Sequence, residues 1–246
     1  MAALGALDAI DVLPFSGSEF DLWYSLLNCG FRIAPGAGTD AFTGYRGTYR
    51  LPGGGREYVE AGPAMEWNRW IARYREGRCF VTSGPLLTFT VNGQPMGSVI
   101  RVPAGQSYRA RLSTTVTGRD PLRRVTFYHN GKAVESRELG PKTLSFQMEK
   151  EVEVTTGSWF AVRADADPPR GLPEPFAVAH SGPVYVEVGG RPALVREDIE
   201  LMIRWTNLLW NNLEERNNFG PGDNRQRARR IFDQALEHYR VKLRQP

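Results

Sequence analysis

The chain has 246 residues, 41% of them hydrophobic and 24% charged, which is typical of an ordered globular protein large enough to bury a core. Its 31 lysines and arginines exceed its 27 aspartates and glutamates by 4, and this small excess is not gathered on one segment, so the charge does not favour nucleic-acid binding. No uninterrupted apolar run approaches the roughly 20 residues that cross a bilayer, so we expect no membrane-embedded segment.

The amino-terminal residues and the small numbers of cysteines and histidines narrow the range of possible functions further. Residues 1–15 lack a basic region and carry Asp8 and Asp11, so no signal peptide is predicted and a cytoplasmic location is the default expectation. Cys29 and Cys79 are too few for a disulfide scaffold, and we expect both to be reduced. The whole chain has only 3 histidines, which is a poor supply for metal binding or acid–base catalysis.

Residues 1–85 alternate short apolar runs with amphipathic segments. Strands are predicted at 9–13, 31–34 and 79–82, and helices at 21–28 and from 63 to about 76. The second helix has an apolar face of Trp67, Trp70, Ile71 and Tyr74. Strands that alternate with helices are typical of α/β units with parallel strands, so we predict a partial α/β domain here.

Between residues 86 and 190 the apolar pattern changes to a period of two. Leu87, Phe89 and Val91 alternate with threonines, and the same alternation recurs in about seven short segments, which is typical of an immunoglobulin-like (Ig-like) β-sandwich. The dipeptide Asn130-Gly131 predicts a two-residue hairpin turn, since both residue types tolerate positive φ. The core cysteine pair of antibody domains is absent, because both cysteines precede this region.

Residues 191–246 are predicted to form a helical hairpin. One apolar stripe, which we expect to pack on another part of the protein, consists of Ile199, Met202, Thr206, Leu209 and Leu213. The sequence 217–222 cannot continue a helix. A second amphipathic helix then begins near Asp223. The predicted fold is therefore α+β and multidomain, with a partial α/β domain (1–85), an Ig-like sandwich (86–190) and a helical hairpin (191–246).

Asp40 is the strongest candidate for chemistry in the first region. It follows a predicted buried strand and the loop 35–39, and carboxylates at strand ends can ligate a divalent metal. A single oxygen ligand would hold no ion by itself, however. The alternative, which spacing alone favours, is that Asp40 caps its own loop through backbone N–H groups.

Histidines and serines provide weaker candidates. His129, His180 and His238 do not fall at metal-ligand spacing, so a structural role is the favoured interpretation of each. Ser83 and Ser181 both precede Gly-Pro and are conceivable nucleophiles, but neither lies in a Gly-x-Ser-x-Gly elbow. A sharp turn between two strands explains the glycine and proline after each serine without a catalytic role.

Five segments of the chain carry a family resemblance; these are 23–32, 37–42, 56–59, 74–87 and 180–186. Together they resemble the carbaryl-hydrolase-like branch of the polymerase-and-histidinol-phosphatase (PHP) superfamily of metal-dependent phosphoesterases and related hydrolases. The resemblance implies that residues 1–85 are the closing part of a distorted β/α barrel that binds zinc, manganese or iron. Asp40 would be a metal ligand, and Thr39 and Arg56 would be contacts at the rim.

The resemblance also implies that the chain is incomplete. The His-x-His ligands of that family belong to the first half of the barrel, which has no counterpart here, and Asp40-Ala41-Phe42 replaces the usual Asp-x-His. A metal-activated water needs several fixed ligands and an open position. The implied partners are a missing amino-terminal barrel half or a second copy of the chain, with no nucleic acid and no membrane.

Three functional hypotheses follow. The leading one is an incomplete, inactive carboxyl-terminal part of a metal-dependent hydrolase. The alternative is a non-enzymatic binding or scaffold protein that uses its Ig-like sandwich and carries an exposed aromatic strip. The third is a complete enzyme with Ser83 or Ser181 as its nucleophile.

Overall fold

The structure is a computed structural model that describes residues 1–13, 20–41, 52–170 and 177–245. The helices are α1 (Phe20–Asn28), α2 (Trp67–Arg75), α3 (Arg196–Arg216) and α4 (Asn224–Leu243). The strands are β1 (Ala9–Asp11), β2 (Ala34–Gly36), β3 (Arg56–Val59), β4 (Cys79–Thr82), β5 (Leu86–Val91), β6 (Gln94–Pro95), β7 (Val99–Val102), β8 (Tyr108–Thr117), β9 (Leu122–His129), β10 (Lys132–Glu138), β11 (Ser145–Val154), β12 (Ser158–Ala166), β13 (Ala177–Ser181) and β14 (Val184–Val188). Among these described helices, none is both long and apolar enough to cross a membrane.

Two sheets stack to form a β-sandwich. The smaller sheet has the order β11-β8-β5-β6, and its long strands are antiparallel. The larger sheet runs β10-β9-β12, after which β12 divides its free edge between two partners. Its first residues pair with β14, which pairs in parallel with β7, and its last residues pair with β13, which leads to β4 and β3. This arrangement confirms the predicted Ig-like sandwich.

The core between the sheets is built by the alternation of side chains along the strands. Phe89 of the smaller sheet meets Phe127 of the larger one with their ring centroids 6.0 Å apart, and both side chains are buried. Along β12, Phe160 and Val162 belong to this core. Trp159, which precedes Phe160, belongs to the core on the opposite face of the sheet, as the alternation of side chains along a strand requires. The larger sheet is therefore buried on both faces, which explains the uninterrupted apolar run at residues 159–162 of β12.

Helices cover the outer face of the larger sheet and form a second core. Trp23 and Leu27 of α1 pack with Ile199 of α3 and Tyr239 of α4 against the sheet. Polar contacts fix this layer, since Asn28 accepts a hydrogen bond from Trp159 Nε1 (2.7 Å) and donates one to Asp198 Oδ2 (2.8 Å). The molecule thus has three layers, with helices on one side, the larger sheet in the middle and the smaller sheet on the other side.

The predicted barrel remnant in residues 1–85 is not present in the described residues. Its first two strands do pair in parallel, with Ala9 opposite Ala34 and Asp11 opposite Gly36, but β3 and β4 are antiparallel. β4 also pairs with β13, so sheet pairing crosses the domain boundary placed at residue 85. A short apolar run such as 79–82 is compatible with either strand direction, and the nearest free edge is that of the sandwich sheet.

Candidate functional site

The loop after β2 is where a metal site was predicted. Thr39 holds this loop to the Gly-rich turn before β3, since its hydroxyl lies 3.1 Å from the Gly55 nitrogen and 3.3 Å from the Gly55 oxygen. Asp40 is exposed and adopts a left-handed backbone with φ of 49°. Aspartate tolerates that conformation better than most residues, which fits a turn position.

Two further carboxylates lie at the same end of the parallel β1–β2 pair, and sequence reasoning missed both. Glu57 Oε1 accepts hydrogen bonds from the Ala37 N–H (2.9 Å) and from the Tyr74 hydroxyl (3.2 Å). Burial and the negative charge of Glu57 raise the pKa of Tyr74, which therefore stays protonated. Asp11 Oδ1 accepts a hydrogen bond from Leu13 N–H at 3.1 Å. The signal for Asp11 is that it ends β1 at the edge where β2 also ends, whereas Glu57 reaches this edge from β3.

These carboxylates do not form a metal centre in the part of the chain that the structure describes. No three histidine, cysteine, aspartate or glutamate side chains among the described residues are grouped closely enough to hold an ion. The donors present at Asp40 therefore do not fit the zinc, manganese or iron implied by the resemblance. Phe42, which ends the segment of that resemblance, lies outside the described residues. Asp40 as a ligand and Thr39 as a rim contact stay predictions.

His180 is fully buried among aromatic rings of α1 and the larger sheet. Its Nδ1 donates to the Ser181 carbonyl (2.8 Å), so Nε2 is the acceptor and the Tyr24 hydroxyl donates to it at 2.5 Å. Phe20 stacks on the imidazole with a centroid separation of 4.6 Å. Burial lowers the pKa of His180 to about 3, and the nearby Arg163 adds to this effect, although the bond to Ser181 opposes it. The imidazole is thus neutral and inaccessible to a substrate.

The remaining nucleophile and base candidates are also engaged. His129 Nε2 lies 2.9 Å from Ser158 Oγ, and burial lowers its pKa. Ser181 Oγ is buried and accepts the Val162 N–H at 2.9 Å. Ser83 Oγ accepts the Val178 N–H at 3.0 Å. Ser83 shares a cleft with Arg56, and these are the two candidate residues that the structure brings together around one cavity.

The largest run of exposed apolar side chains lies on α3. Trp205 is 46% exposed, Leu208 and Leu209 are each 55% exposed, and Leu213 is 40% exposed; we call these four residues the α3 stripe. Sequence reasoning placed Leu209 and Leu213 on the buried face, but that face consists of Ile199, Met202 and Trp210. The sequence does contain a signal for an exposed apolar surface, because α3 is apolar around more than half of its circumference, which is more than one buried face needs.

In the part of the chain that the structure describes, the predicted aromatic strip does not lie across the face of the sandwich. Among the described residues, the large aromatic side chains that are exposed are Tyr58 on the edge strand β3, Trp67 on α2 and Trp205 on α3. Trp67 stacks on Trp70 with a centroid separation of 5.7 Å, and Trp70 stacks on Tyr74. Exposed aromatic surface is therefore carried by the helices and one sheet edge.

Comparison with known proteins finds no family model that matches and no curated protein that matches. Among solved structures, the fibronectin(III)-like modules of Clostridium thermocellum CbhA match with 20% identity and a TM-score of 0.24, over 44% of this chain and 98% of theirs. The CARDB domain of a Pyrococcus furiosus protein matches with 16% identity and a TM-score of 0.26, over 44% of this chain and 97% of its own.

The resemblance to the PHP superfamily is wrong. No family model supports it, and the matched structures are fibronectin(III)-like and CARDB modules. The strand pairing agrees with this correction, because β3 and β4 extend the sandwich sheet and do not close a barrel. What the chain has is a mixed α/β structure built around an Ig-like sandwich.

Proposed function

We propose that this chain is a non-enzymatic scaffold protein whose Ig-like sandwich is a rigid body and whose α3 stripe associates with a second copy of the chain. The observation that supports this most is the stripe itself, in which four large apolar side chains of one helix are 40% to 55% exposed. Contiguous apolar surface of this kind marks interaction sites in soluble proteins. The engagement of His180 and Ser181 in buried hydrogen bonds favours the same conclusion.

The spacing of the α3 stripe favours a helix as its partner. Leu208 and Leu209 follow Trp205 by three and four residues, so the three side chains lie on one side of α3. If two copies of α3 pack antiparallel with Leu209 at the centre, Trp205 of one copy lies opposite Leu213 of the other, since each is four residues from the centre. The large indole then meets the smaller leucine, which favours close packing.

Charges beside the stripe fit the same antiparallel arrangement. Arg204 and Glu215 are eleven residues apart, about three helical turns of 3.6 residues, so both lie on the side of α3 that carries Leu208. Packing centred on Leu209 brings Arg204 of one copy within one residue of Glu215 of the other. Both side chains are exposed, and neither forms an ion pair with another described residue. A second copy would pair them twice, by symmetry.

Sedimentation velocity over a range of concentrations tests this proposal. We expect a reversible dimer, and we expect Leu209→Lys to raise the dissociation constant at least about a hundredfold, because each copy loses a buried leucine. Leu144→Lys is the matched control, since Leu144 is 49% exposed and precedes β11 of the sandwich. A chain that is monomeric at every concentration, or a dimer that both variants weaken equally, would contradict the proposal.

A further inference from the structure

A small cleft opens where the β4–β5 corner meets the β8–β9 turn. It has a volume of about 100 Å³, several times the roughly 30 Å³ that one water occupies in the liquid. Arg56 enters from edge strand β3, Ser83 from the corner, Arg119 and Asp120 from the turn, and Pro169 from the chain after β12. Four separate parts of the fold therefore converge on it.

Arg56, which lines this cleft, has an unsatisfied hydrogen-bond donor. Its Nη1 donates to the Gly53 carbonyl at 2.6 Å, but its Nε is buried and has no hydrogen-bond partner. Buried polar groups in native proteins are nearly always hydrogen-bonded, because an unpaired donor loses its hydration without compensation. Neither Arg56 nor Arg119 forms an ion pair among the residues that the structure describes.

Among the described residues that line the cleft, the balance of charge is positive. Arg119 Nη2 donates a hydrogen bond to the Arg170 carbonyl (3.1 Å). The other N–H groups of this guanidinium can donate to further partners. Asp120 is the one carboxylate among the residues that line the cavity, and its Oδ1 lies 3.5 Å from the Arg170 nitrogen. Two guanidinium groups thus face one carboxylate. Planar guanidinium forks bind carboxylate and phosphate oxygens through paired hydrogen bonds.

We propose that this cleft binds a small oxyanion of the phosphate or carboxylate class, which accepts hydrogen bonds from the guanidinium groups of Arg56 and Arg119. Phosphate and a small carboxylate share the needed chemistry, namely two or more oxygens that carry negative charge, and the volume of the cleft admits either. The binding site is separate from the α3 stripe, so it can exist whether or not the chain self-associates.

Isothermal titration calorimetry at constant ionic strength tests the proposal on the whole chain, with inorganic phosphate and acetate as separate titrants and chloride as the reference. We expect saturable binding of phosphate, acetate or both with one site per chain, and the better titrant identifies the class. Arg56→Met and Arg119→Met should each weaken binding at least tenfold. Arg109→Met is the matched control, because Arg109 lies on the smaller sheet and is not part of the cleft.

Thermal unfolding separates a binding defect from a folding defect. A ligand that binds the native state raises its melting temperature, so the bound anion should stabilise the wild-type chain and the control variant but not the cleft variants. Arg119 is exposed, so Arg119→Met keeps the test informative if Arg56→Met does not fold. Absence of saturable binding by both anions, or equal stabilisation of the wild-type chain and the Arg119→Met variant, would overturn the proposal.

Discussion

The hydroxyl of Tyr24 on α1 donates a hydrogen bond to Nε2 of His180 on β13, and this bond connects the helical layer to the middle sheet. Both groups are buried, with aromatic rings of Phe20, Trp23 and Tyr128 around them. The second ring nitrogen of His180 donates to the Ser181 carbonyl, so neither nitrogen is left unpaired. The pair is therefore structural: it satisfies two polar groups at the centre of an apolar contact.

Removal of the Tyr24 hydroxyl tests this role. In Tyr24→Phe the acceptor His180 Nε2 stays buried without a partner, so we expect the free energy of unfolding to fall by about 1–3 kcal/mol. Urea denaturation followed by tryptophan fluorescence measures the change. Tyr58→Phe is the control, since Tyr58 is exposed at the edge of the sheet, and its effect should stay within about 0.5 kcal/mol. Equal effects of the two variants would show that the bond stabilises nothing.

His180 also makes stability depend on pH. Its pKa is about 3 in the folded chain, against 6.5 for an unperturbed histidine, so between these values the unfolded chain binds one more proton than the folded chain. Stability from this residue is therefore complete above pH 6.5 and is lost as the pH falls toward 3. The loss amounts to at most about 1.4 kcal/mol per pH unit.

The double variant Tyr24→Phe, His180→Phe isolates that contribution. Replacing both partners with apolar rings leaves neither side chain with an unpaired polar group, and the Ser181 carbonyl alone loses a donor, so the variant should fold. Between about pH 5 and pH 6.5, the free energy of unfolding should fall more steeply with acid in the wild-type chain than in the variant. Carboxylates titrate in both proteins and cancel in the difference. Parallel pH profiles would mean that His180 takes up its proton as readily in the folded chain as in the unfolded chain, which would contradict the lowered pKa.

Much of the sandwich was predictable because alternation along one strand reports the burial of its own side chains. The Asn130-Gly131 turn is an example, since both residues have the predicted positive φ (48° and 79°) and they join β9 to β10. The strand that pairs with a short apolar strand could not be predicted in the same way. Nothing in the sequence 79–82 indicates that β4 pairs with β13, about a hundred residues later, because strand pairing depends on which edge is free in the folded chain.

The candidate sites show the same limit. Apolar periodicity correctly predicted helices near α3 and α4, but it could not tell which face of α3 meets the sheet, so Leu209 was placed inside. Glu57 accepts hydrogen bonds from Ala37 and Tyr74, which lie 20 and 17 positions away from it in the sequence. Arg56 and Arg119 lie 63 positions apart (119 − 56) and converge only because β3 joins the sandwich sheet.

Reversal of charges beside the α3 stripe tests the antiparallel arrangement. Arg204→Glu would place like charges near each other in the dimer, and each lost surface pair contributes about 0.2–1 kcal/mol, so two symmetric pairs should raise the dissociation constant about twofold to thirtyfold. Arg204→Glu combined with Glu215→Arg should restore most of the affinity, which sedimentation equilibrium can measure at low salt. A parallel arrangement, or a different interface, predicts no rescue by the double exchange.

Metal content tests the predicted role of Asp40. Its carboxylate is exposed, and no group of three candidate ligands exists among the described residues, so we expect the purified chain to hold much less than one equivalent of zinc, manganese or iron after dialysis. Asp40→Ala should leave that content unchanged in elemental analysis by mass spectrometry. Glu135→Ala serves as a control carboxylate on the sandwich, where Glu135 pairs with Lys150 at 3.1 Å. One firmly held equivalent that disappears in Asp40→Ala and persists in Glu135→Ala would establish Asp40 as a ligand and contradict this prediction.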